Sequence, residues 1–215
     1  MQIDDGHLLI EDLLKDPRKF DEDGCAYTLL QKYFSGLPVD TLRPLLRSEN
    51  VDVQRVASFV ASELGNKASG VLDDAVPLVD SSDAHVQWYA MEVVAVCAKG
   101  NHVEKFVCVV GMLESANGAL RRLAMRLMMN ADLSQLSESQ RIFERRGESC
   151  GTHEQALRAL VAGEQADPAV IVSMLRHNDA LVRRYGAIAA RRLSQKYPEL
   201  SSQIESSDDP DLLKF

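Results

Sequence analysis

The sequence predicts an all-α fold of stacked helix pairs, and three observations carry this prediction. A short motif recurs in which an Asp or Asn precedes an aliphatic residue by three positions, at Val53, Val86, Leu120 and Val182. The copies are separated by 33, 34 and 62 residues, and the last interval equals two steps of 31. After Val53, small and apolar residues follow at positions +3, +4, +7, +8 and +11, which is the spacing of one helix face. A constant period of this length is typical of helical repeats stacked on one another.

The Asp or Asn of the motif is expected to begin a helix. These side chains cap helices because their oxygen accepts a hydrogen bond from a backbone N–H that has no partner inside the helix. The four capping residues are Asn50, Asp83, Asn117 and Asp179. The residue at +4 is small in every copy, so we expect neighbouring backbones to approach closely at Ala57, Ala90, Ala124 and Gly186.

A second apolar segment precedes the capping residue, and in two copies it contains a proline nine residues before the aliphatic position, Pro44 and Pro77. Each repeat of about 30 residues therefore holds two helices. A first helix with an internal proline, a short Asp/Asn loop and a second helix opening with Val-Gln or Arg resemble HEAT repeats. The resemblance covers about residues 20–195. It implies a right-handed α-solenoid of about five to six helix pairs, and it implies little about chemistry.

We expect a single domain over residues 1–215. Residues 1–37 are interpreted as an N-terminal cap and a degenerate repeat in which Ala26 takes position +4. Repeats follow over 38–195, with an irregular stretch at 131–151 where the apolar stripe weakens. The fourth repeat would then have Ser149 as its cap and Thr152 as its aliphatic-equivalent position. Residues 196–215 are interpreted as a C-terminal cap and an acidic tail that frays.

Composition restricts the possible functions. The chain has 215 residues, 46% of them hydrophobic, and a net charge of −8, which argues against general affinity for nucleic acid or anionic membranes. No apolar run reaches the length of a membrane span and the first residues are acidic, so we expect a cytoplasmic protein. The four cysteines, Cys25, Cys97, Cys108 and Cys150, show no CxxC pair and are interpreted as packed thiols. The five histidines are scattered, and we expect no metal and no cofactor.

Arginine is concentrated in one part of the chain, since residues 117–195 hold twelve Arg and no Lys against eight acidic residues. Positions +2, +6 and +9 point away from the apolar stripe, and the HEAT resemblance implies that they line a concave surface. We predict that this surface binds a partner; its candidate residues are Arg55, Phe59, Trp88, Glu92, Arg122, Arg126, Arg158, Arg184 and Arg191. The alternative is an ordinary solvated helix face with pairs such as Glu154 and Arg158. For the +1 residues, Gln54, Gln87, Arg121 and Arg183, the HEAT resemblance implies a structural role as hydrogen bonders to the neighbouring repeat's loop.

Two classes of function fit these residues. The preferred one is a non-catalytic module that binds another protein. Two stretches, Tyr27–Leu30 before Phe34-Ser35-Gly36, and Ala61–Gly65, are similar to bacterial HEAT-type immunity proteins, which implies a toxin as the partner. The alternative is a HEAT-like DNA-base glycosylase, because such enzymes use a groove Trp and a carboxylate one turn on, as at Trp88 and Glu92. His153 and Glu154 are interpreted as a surface pair. The oligomeric state stays open.

Overall fold

The computed structural model describes residues 5–147, 151–205 and 209–215. All regular secondary structure in these ranges is helical, which confirms the all-α prediction. The chain divides into two compact units, residues 1–98 and 99–215. The right-handed superhelix and the single domain stay predictions.

In the first unit, the second helices of successive pairs pack side by side, as in an α-solenoid: α3 contacts α5 and α5 contacts α7. The helices of this unit are α1 (Asp5–Lys15), α2 (Pro17–Glu22), α3 (Cys25–Phe34), α4 (Arg43–Leu46), α5 (Val51–Glu63), α6 (Leu72–Ala75) and α7 (Ala84–Cys97). Three 3₁₀ segments join them, Val39–Leu42, Gly65–Val71 and Val76–Asp80. The core between α5 and α7 consists of fully buried small and branched residues, among them Ala57, Val60, Val86 and Ala90.

The first helix of each pair in this unit differs from the prediction. Pro44 and Pro77 do not lie inside long helices but at the first or second position of a short α or 3₁₀ segment. Proline has no N–H to continue the i to i−4 ladder, and its ring crowds the preceding turn, so each first helix is divided into an α and a 3₁₀ segment, and the second of them begins one residue before the proline. Asp74 ties two of these broken segments together, because its buried carboxylate accepts from Arg43 at 2.6 Å and Arg47 at 2.5 Å.

The predicted helix starts are confirmed at all four motif copies. Each capping residue has extended backbone angles, and its side chain accepts from the backbone N–H two residues later, at Asp52, His85, Ala119 and Leu181. The close approach expected at +4 is confirmed at Gly186, where an added Cβ would lie 2.9 Å from the backbone nitrogen of Leu175.

The second unit contains α8 (Val107–Gly111), α9 (Gly118–Met129), α10 (Leu133–Arg146), α11 (Gly151–Ala162), α12 (Pro168–Leu175), α13 (Ala180–Arg192), α14 (Glu199–Glu205) and α15 (Pro210–Leu213). Its 3₁₀ segments are Gly100–Phe106, Met112–Glu114 and Gly163–Gln165. Helix pairs α10 with α11 and α12 with α13 form the most extensive contacts of this unit.

The stretch expected to be irregular, 131–151, contains a regular helix, so that expectation is wrong for α10. A capping box starts this helix, with Asp132 accepting from the backbone of Gln135 and Gln135 accepting in return from the backbone of Asp132. The stripe looked weak because the buried face includes polar residues; Gln135 and Ser139 are buried beside Leu136 and Phe143. The cap predicted at Ser149 lies outside the described residues.

Helix α13 is the centre of the second unit, and its packing departs from strict order along the chain. It contacts α11 and α12, as expected, and also α9, two pairs earlier. Its residues Tyr185–Ala190 are all buried, and most of them are small, so helices can approach from several sides. Arg192 fixes the contact with α9 by donating to the carbonyls of Met128 and Met129 at the end of that helix and to the carbonyl of Ala131 just after it.

The tail expected to fray is ordered over residues 209–215. Asp209 caps the single turn of α15, Leu212 is buried, and the carboxylate of Asp211 is 4% exposed. Sequence alone indicated an acidic, frayed end because the arginines that bind these carboxylates lie far away in the chain, on α9 and α13.

The contact at Gly186 leads to a stability prediction. Gly186→Ala should destabilise the protein by about 1–3 kcal/mol, because the added methyl would overlap the backbone of Leu175 and the Cβ of Met174. Gly111→Ala is the matched control: it is also helical, its added methyl meets nothing within 4 Å, and it should be neutral or stabilise by up to about 1 kcal/mol. Urea denaturation of both variants measures the difference. Equal effects would show that α12 and α13 are not packed this closely.

Candidate partner-binding site

The first unit carries a row of aromatic rings across three successive helices, and we call it the aromatic row: Tyr27 on α3, Phe59 on α5 and Tyr89 on α7. The ring centroids are 5.2 and 5.5 Å apart, with interplanar angles of 71° and 67°. This edge-to-face geometry is favourable between aromatic rings. Tyr27 is 64% exposed, and the other two are half-buried. The edge-to-face contacts hold the three rings in position, and the row presents a partly exposed apolar strip to solvent.

The aromatic row lies in an acidic environment. The first unit holds seventeen acidic against eight basic residues, a net charge of −9, whereas the second unit has fifteen against sixteen. Burial raises the pKa of the Tyr89 hydroxyl, and the negative charges of Glu92 and Asp21 raise it further. A cation near these rings would meet both ring faces and carboxylates, two features that attract positive charge.

Of the predicted site residues, Arg55 and Phe59 lie beside each other in the first unit. Both line a shallow depression of about 180 Å³ together with Asp21 and the tyrosines of the aromatic row. Arg55 is already engaged: it donates to Asp83 at 2.7 Å and to Asp52 at 3.2 Å. The guanidinium group of Arg55 pairs with Asp83, the residue that caps α7, so most of its positive charge is compensated within the chain.

Trp88 and Glu92 meet on one turn of α7, as their spacing predicted. The indole Nε1–H of Trp88 donates to the carboxylate of Glu92 at 3.2 Å, and both residues are half-buried. The bond fixes the orientation of the indole and places a carboxylate at its edge. Tyr89, the next residue, completes the aromatic row, which the sequence pattern did not indicate because Tyr27 and Phe59 belong to other repeats.

The arginines predicted in the second unit are not all equivalent. Arg122 and Arg184 bind the carboxylate of Asp211 at 3.2 and 3.3 Å, and Arg184 also donates to the carbonyl of Leu113. Arg158 is exposed and pairs with Glu154 one turn away, so this pair matches the alternative interpretation of a solvated helix face. Arg126 is exposed and Arg191 half-buried. Ile188, at position +6 of the same copy as Arg184, is fully buried rather than surface-facing, because α9 packs on that side of α13.

The +1 residues have the structural role that sequence indicated, with a different partner. Gln54 donates to the carbonyl of Leu46 and Gln87 to that of Val79, each eight residues earlier. Arg121 donates to Ser115 and Ala116, and Arg183 to His177 and Asn178. In every case the acceptor lies just before the helix, at the end of the repeat's own first segment or in the loop that follows, not in the neighbouring repeat.

His153 is not in a surface pair with Glu154, and that interpretation is wrong. The ring is buried, stacked on Phe143 at 4.4 Å, with Nδ1 2.6 Å from the Tyr185 hydroxyl and Nε2 2.9 Å from the Glu114 carboxylate. Burial raises the pKa of Tyr185 well above its ordinary value, and the charge of Glu114 adds to this. The Tyr185 hydroxyl at one end of this chain of hydrogen bonds is fully buried, whereas the Glu114 side chain at the other end is 63% exposed, and the cluster joins α10, α11 and α13.

The remaining features that could carry chemistry in residues 5–147, 151–205 and 209–215 are groups of metal-ligating side chains, apolar helices and thiols. In these ranges no group of three or more His, Cys, Asp or Glu side chains is arranged to hold a metal ion. No described helix is both long and apolar enough to cross a membrane. The thiols of Cys97 and Cys108 donate to the carbonyls of Gly65 and Lys105. Cys25 is half-buried, and Cys150 lies outside the described residues.

Comparison with known proteins yields only distant structural likeness. No protein-family model matches the chain, and no curated protein matches it. Among solved structures, crystal structures of two engineered proteins are similar to it. The first is 18% identical with a TM-score of 0.46, covering 82% of this chain and 92% of that chain. The second is 19% identical with a TM-score of 0.44, covering 82% of this chain and 55% of that chain.

The pair between Arg55 and Asp83 allows a prediction about pH. The hydrogen bond from Arg55 lowers the pKa of Asp83 despite burial, and the bonds from the backbone of Val86 and His85 lower it further. A carboxyl with a lowered pKa in the folded state stabilises the fold above its unfolded pKa of about 3.9, and this contribution is lost as the pH falls through the lowered value.

Asp83→Asn should therefore cost about 1 kcal/mol at neutral pH, and the two proteins should converge in stability as the pH falls below the lowered pKa of Asp83. Asn keeps the cap, as Asn50 and Asn117 do in other copies, so the difference reports the charge pair alone. Urea denaturation of both proteins at several pH values measures it. A cost that does not change with pH would contradict the assignment.

Proposed function

We propose that this chain is a non-catalytic protein-binding module and that the aromatic row is its principal contact surface. The observation that carries the proposal is the aromatic row, with Tyr27 exposed and Phe59 and Tyr89 half-buried, within a unit of net charge −9. Aromatic side chains contribute strongly to protein interfaces because they bury a large area at a small entropic cost.

The charge of the first unit selects the kind of partner. A protein surface with Arg or Lys next to apolar residues would place its cations over the rings and beside Glu92 and Asp21. Attraction between opposite charges would also speed the encounter. Three arginines of the predicted surface, Arg55, Arg122 and Arg184, already bind carboxylates of this chain. Because their charges are paired, they attract an acidic partner less strongly, and this also favours a basic partner.

The resemblance to HEAT-type immunity proteins supports a narrower proposal, in which the partner is a basic toxin domain and the complex forms in the cytoplasm. Neutralisation by such a module requires only that the bound surface cover the toxin's active region. The product of the adjacent gene is the first partner to examine, and a secreted toxin encoded there would support this narrower proposal.

The nucleic-acid enzyme is the second candidate, because Trp88 and Glu92 are joined by a hydrogen bond on one helical turn. A unit with a net charge of −9 repels a phosphate backbone, whose binding depends on positive charge and the release of counterions. We therefore rank this candidate below protein binding, and a binding experiment with DNA distinguishes the two.

The experiment uses three probes: a short peptide of repeated Arg-Leu-Gly triplets, the same peptide with Glu in place of Arg, and a short DNA duplex. Fluorescence titration at low salt should show saturable binding of the Arg peptide only. Tyr27→Ala should weaken this binding about fivefold, or about 1 kcal/mol, through loss of one cation–π contact.

Phe34→Ala is the matched control. Phe34 is 45% exposed and lies on the same helix as Tyr27, but its ring packs under Lys67 outside the aromatic row. Its loss should leave peptide affinity unchanged. Binding of DNA but not of the Arg peptide would favour the enzyme, and equal losses in the two variants would remove the aromatic row as the contact surface.

A further inference from the structure

We propose that four arginines of the second unit form a binding site for an acidic peptide, and that residues 209–212 of this chain occupy it as a displaceable ligand in cis. This inference is independent of the aromatic row and concerns the other unit. The arginine cluster, as we call it, consists of Arg121 and Arg122 on α9 and Arg183 and Arg184 on α13. These are two Arg-Arg pairs at the same repeat positions, +1 and +2, and they meet because α13 packs against α9.

The cluster binds two carboxylates of the chain. Asp211 accepts from Arg121 Nε at 2.6 Å and from Arg122 Nη1 at 3.2 Å, with Arg184 Nη2 at 3.3 Å. Asp209 accepts from Nε and Nη2 of Arg183 at 3.1 and 2.8 Å. Hydrogen bonds between guanidinium groups and carboxylates are about twice as strong as neutral ones. The site thus recognises two carboxylates that are two residues apart.

The repeat pattern explains where these donors come from. In the first unit the +1 residue is glutamine, whose amide N–H groups serve the carbonyls just before its helix. In α9 and α13 the same position is arginine, which serves the loop with Nη1 and still has further N–H groups to offer. The surplus donors of Arg121 and Arg183 are those that reach Asp211 and Asp209.

The cluster has capacity beyond the segment that occupies it. Four guanidinium groups face two carboxylates, so positive charge remains in excess. A cleft of about 560 Å³ adjoins the segment and is lined by three arginines of the cluster, Arg121, Arg183 and Arg184, together with Arg176 and His177. These features match a site for a longer acidic ligand better than a closed structural clamp.

The occupying segment is held by few apolar contacts. Helix α15 is a single turn, Leu212 is its buried apolar side chain, and Leu213 is 57% exposed. Ion pairs and one leucine anchor therefore supply most of the attachment. A segment of another protein with the same pattern, Asp-x-Asp-Leu, can form the same contacts and replace it.

The test measures binding in trans of a fluorescein-labelled peptide with the sequence of residues 209–215. In the full chain the cis segment competes at the high effective concentration of a tethered ligand. The double variant Asp209→Asn, Asp211→Asn weakens this competitor, so it should bind the labelled peptide at least about tenfold more tightly than the wild type by fluorescence anisotropy. A twin peptide with Asn in place of both Asp residues should not bind.

Two further substitutions in the double variant locate the binding. Arg183→Gln should abolish the gain in affinity. Arg141→Gln is the matched control, since Arg141 is an exposed arginine on α10 that pairs with Glu138 and lies outside the cluster, and it should leave the gain unchanged. Circular dichroism checks that each variant is folded. If the double variant is not folded, Asp209→Asn alone serves, because Asn retains the cap of α15.

Three outcomes would overturn the proposal. Failure of the peptide to bind any folded variant would show that the segment is a permanent part of the fold. Equal binding of the Asn twin would show that the leucines, not the carboxylates, are recognised. Displacement of the labelled peptide by inorganic phosphate at a concentration similar to that of unlabelled peptide would assign the cluster to phosphate groups instead of acidic peptides.

Discussion

The organising interaction of both units is the attachment of each second helix to the chain that precedes it. An Asp or Asn caps the helix, and the +1 side chain bonds carbonyls just before it, in all four clear copies of the motif. Backbone groups in such a turn would otherwise be left without partners as the helices pack, which is costly. With the turn fixed, the apolar stripe of the second helix faces its partner, and the pair can pack as one body.

The choice of residue at +1 links this structural device to binding. Glutamine and arginine both satisfy the preceding carbonyls, but arginine has N–H groups left over. In the first unit, with glutamine at +1, the surface instead carries aromatic rings and carboxylates. In the second unit, arginine at +1 and +2 generates a cluster that binds acidic groups. The two units therefore differ both in the residue at +1 and in the character of their surfaces.

This segregation has consequences for the two proposals. A partner for the aromatic row should be basic, and a ligand for the arginine cluster should be acidic. The two sites therefore do not compete for one kind of molecule, and a protein with both kinds of segment could engage each of them. The hydrogen bonds that join Glu114, His153 and Tyr185 hold together elements of the second unit and belong to neither surface.

The sequence by itself determined the elements that depend on local chemistry. The period, the four caps, the small residue at +4 and the structural role of +1 follow from hydrogen-bonding and steric preferences that act over a few residues. The contact between Trp88 and Glu92 could also be predicted from the sequence, because residues four positions apart share a helix face.

Only the tertiary structure decided which distant residues meet. The aromatic row joins rings from three repeats, His153 finds partners 32 and 39 residues away, and Arg121 binds Asp211 across 90 residues. The contact between α13 and α9 could not be read from the period, because the period predicts packing only between neighbours. It arises from the small residues of α13, which let α9 approach closely, and it brings two separate Arg-Arg pairs together in one site.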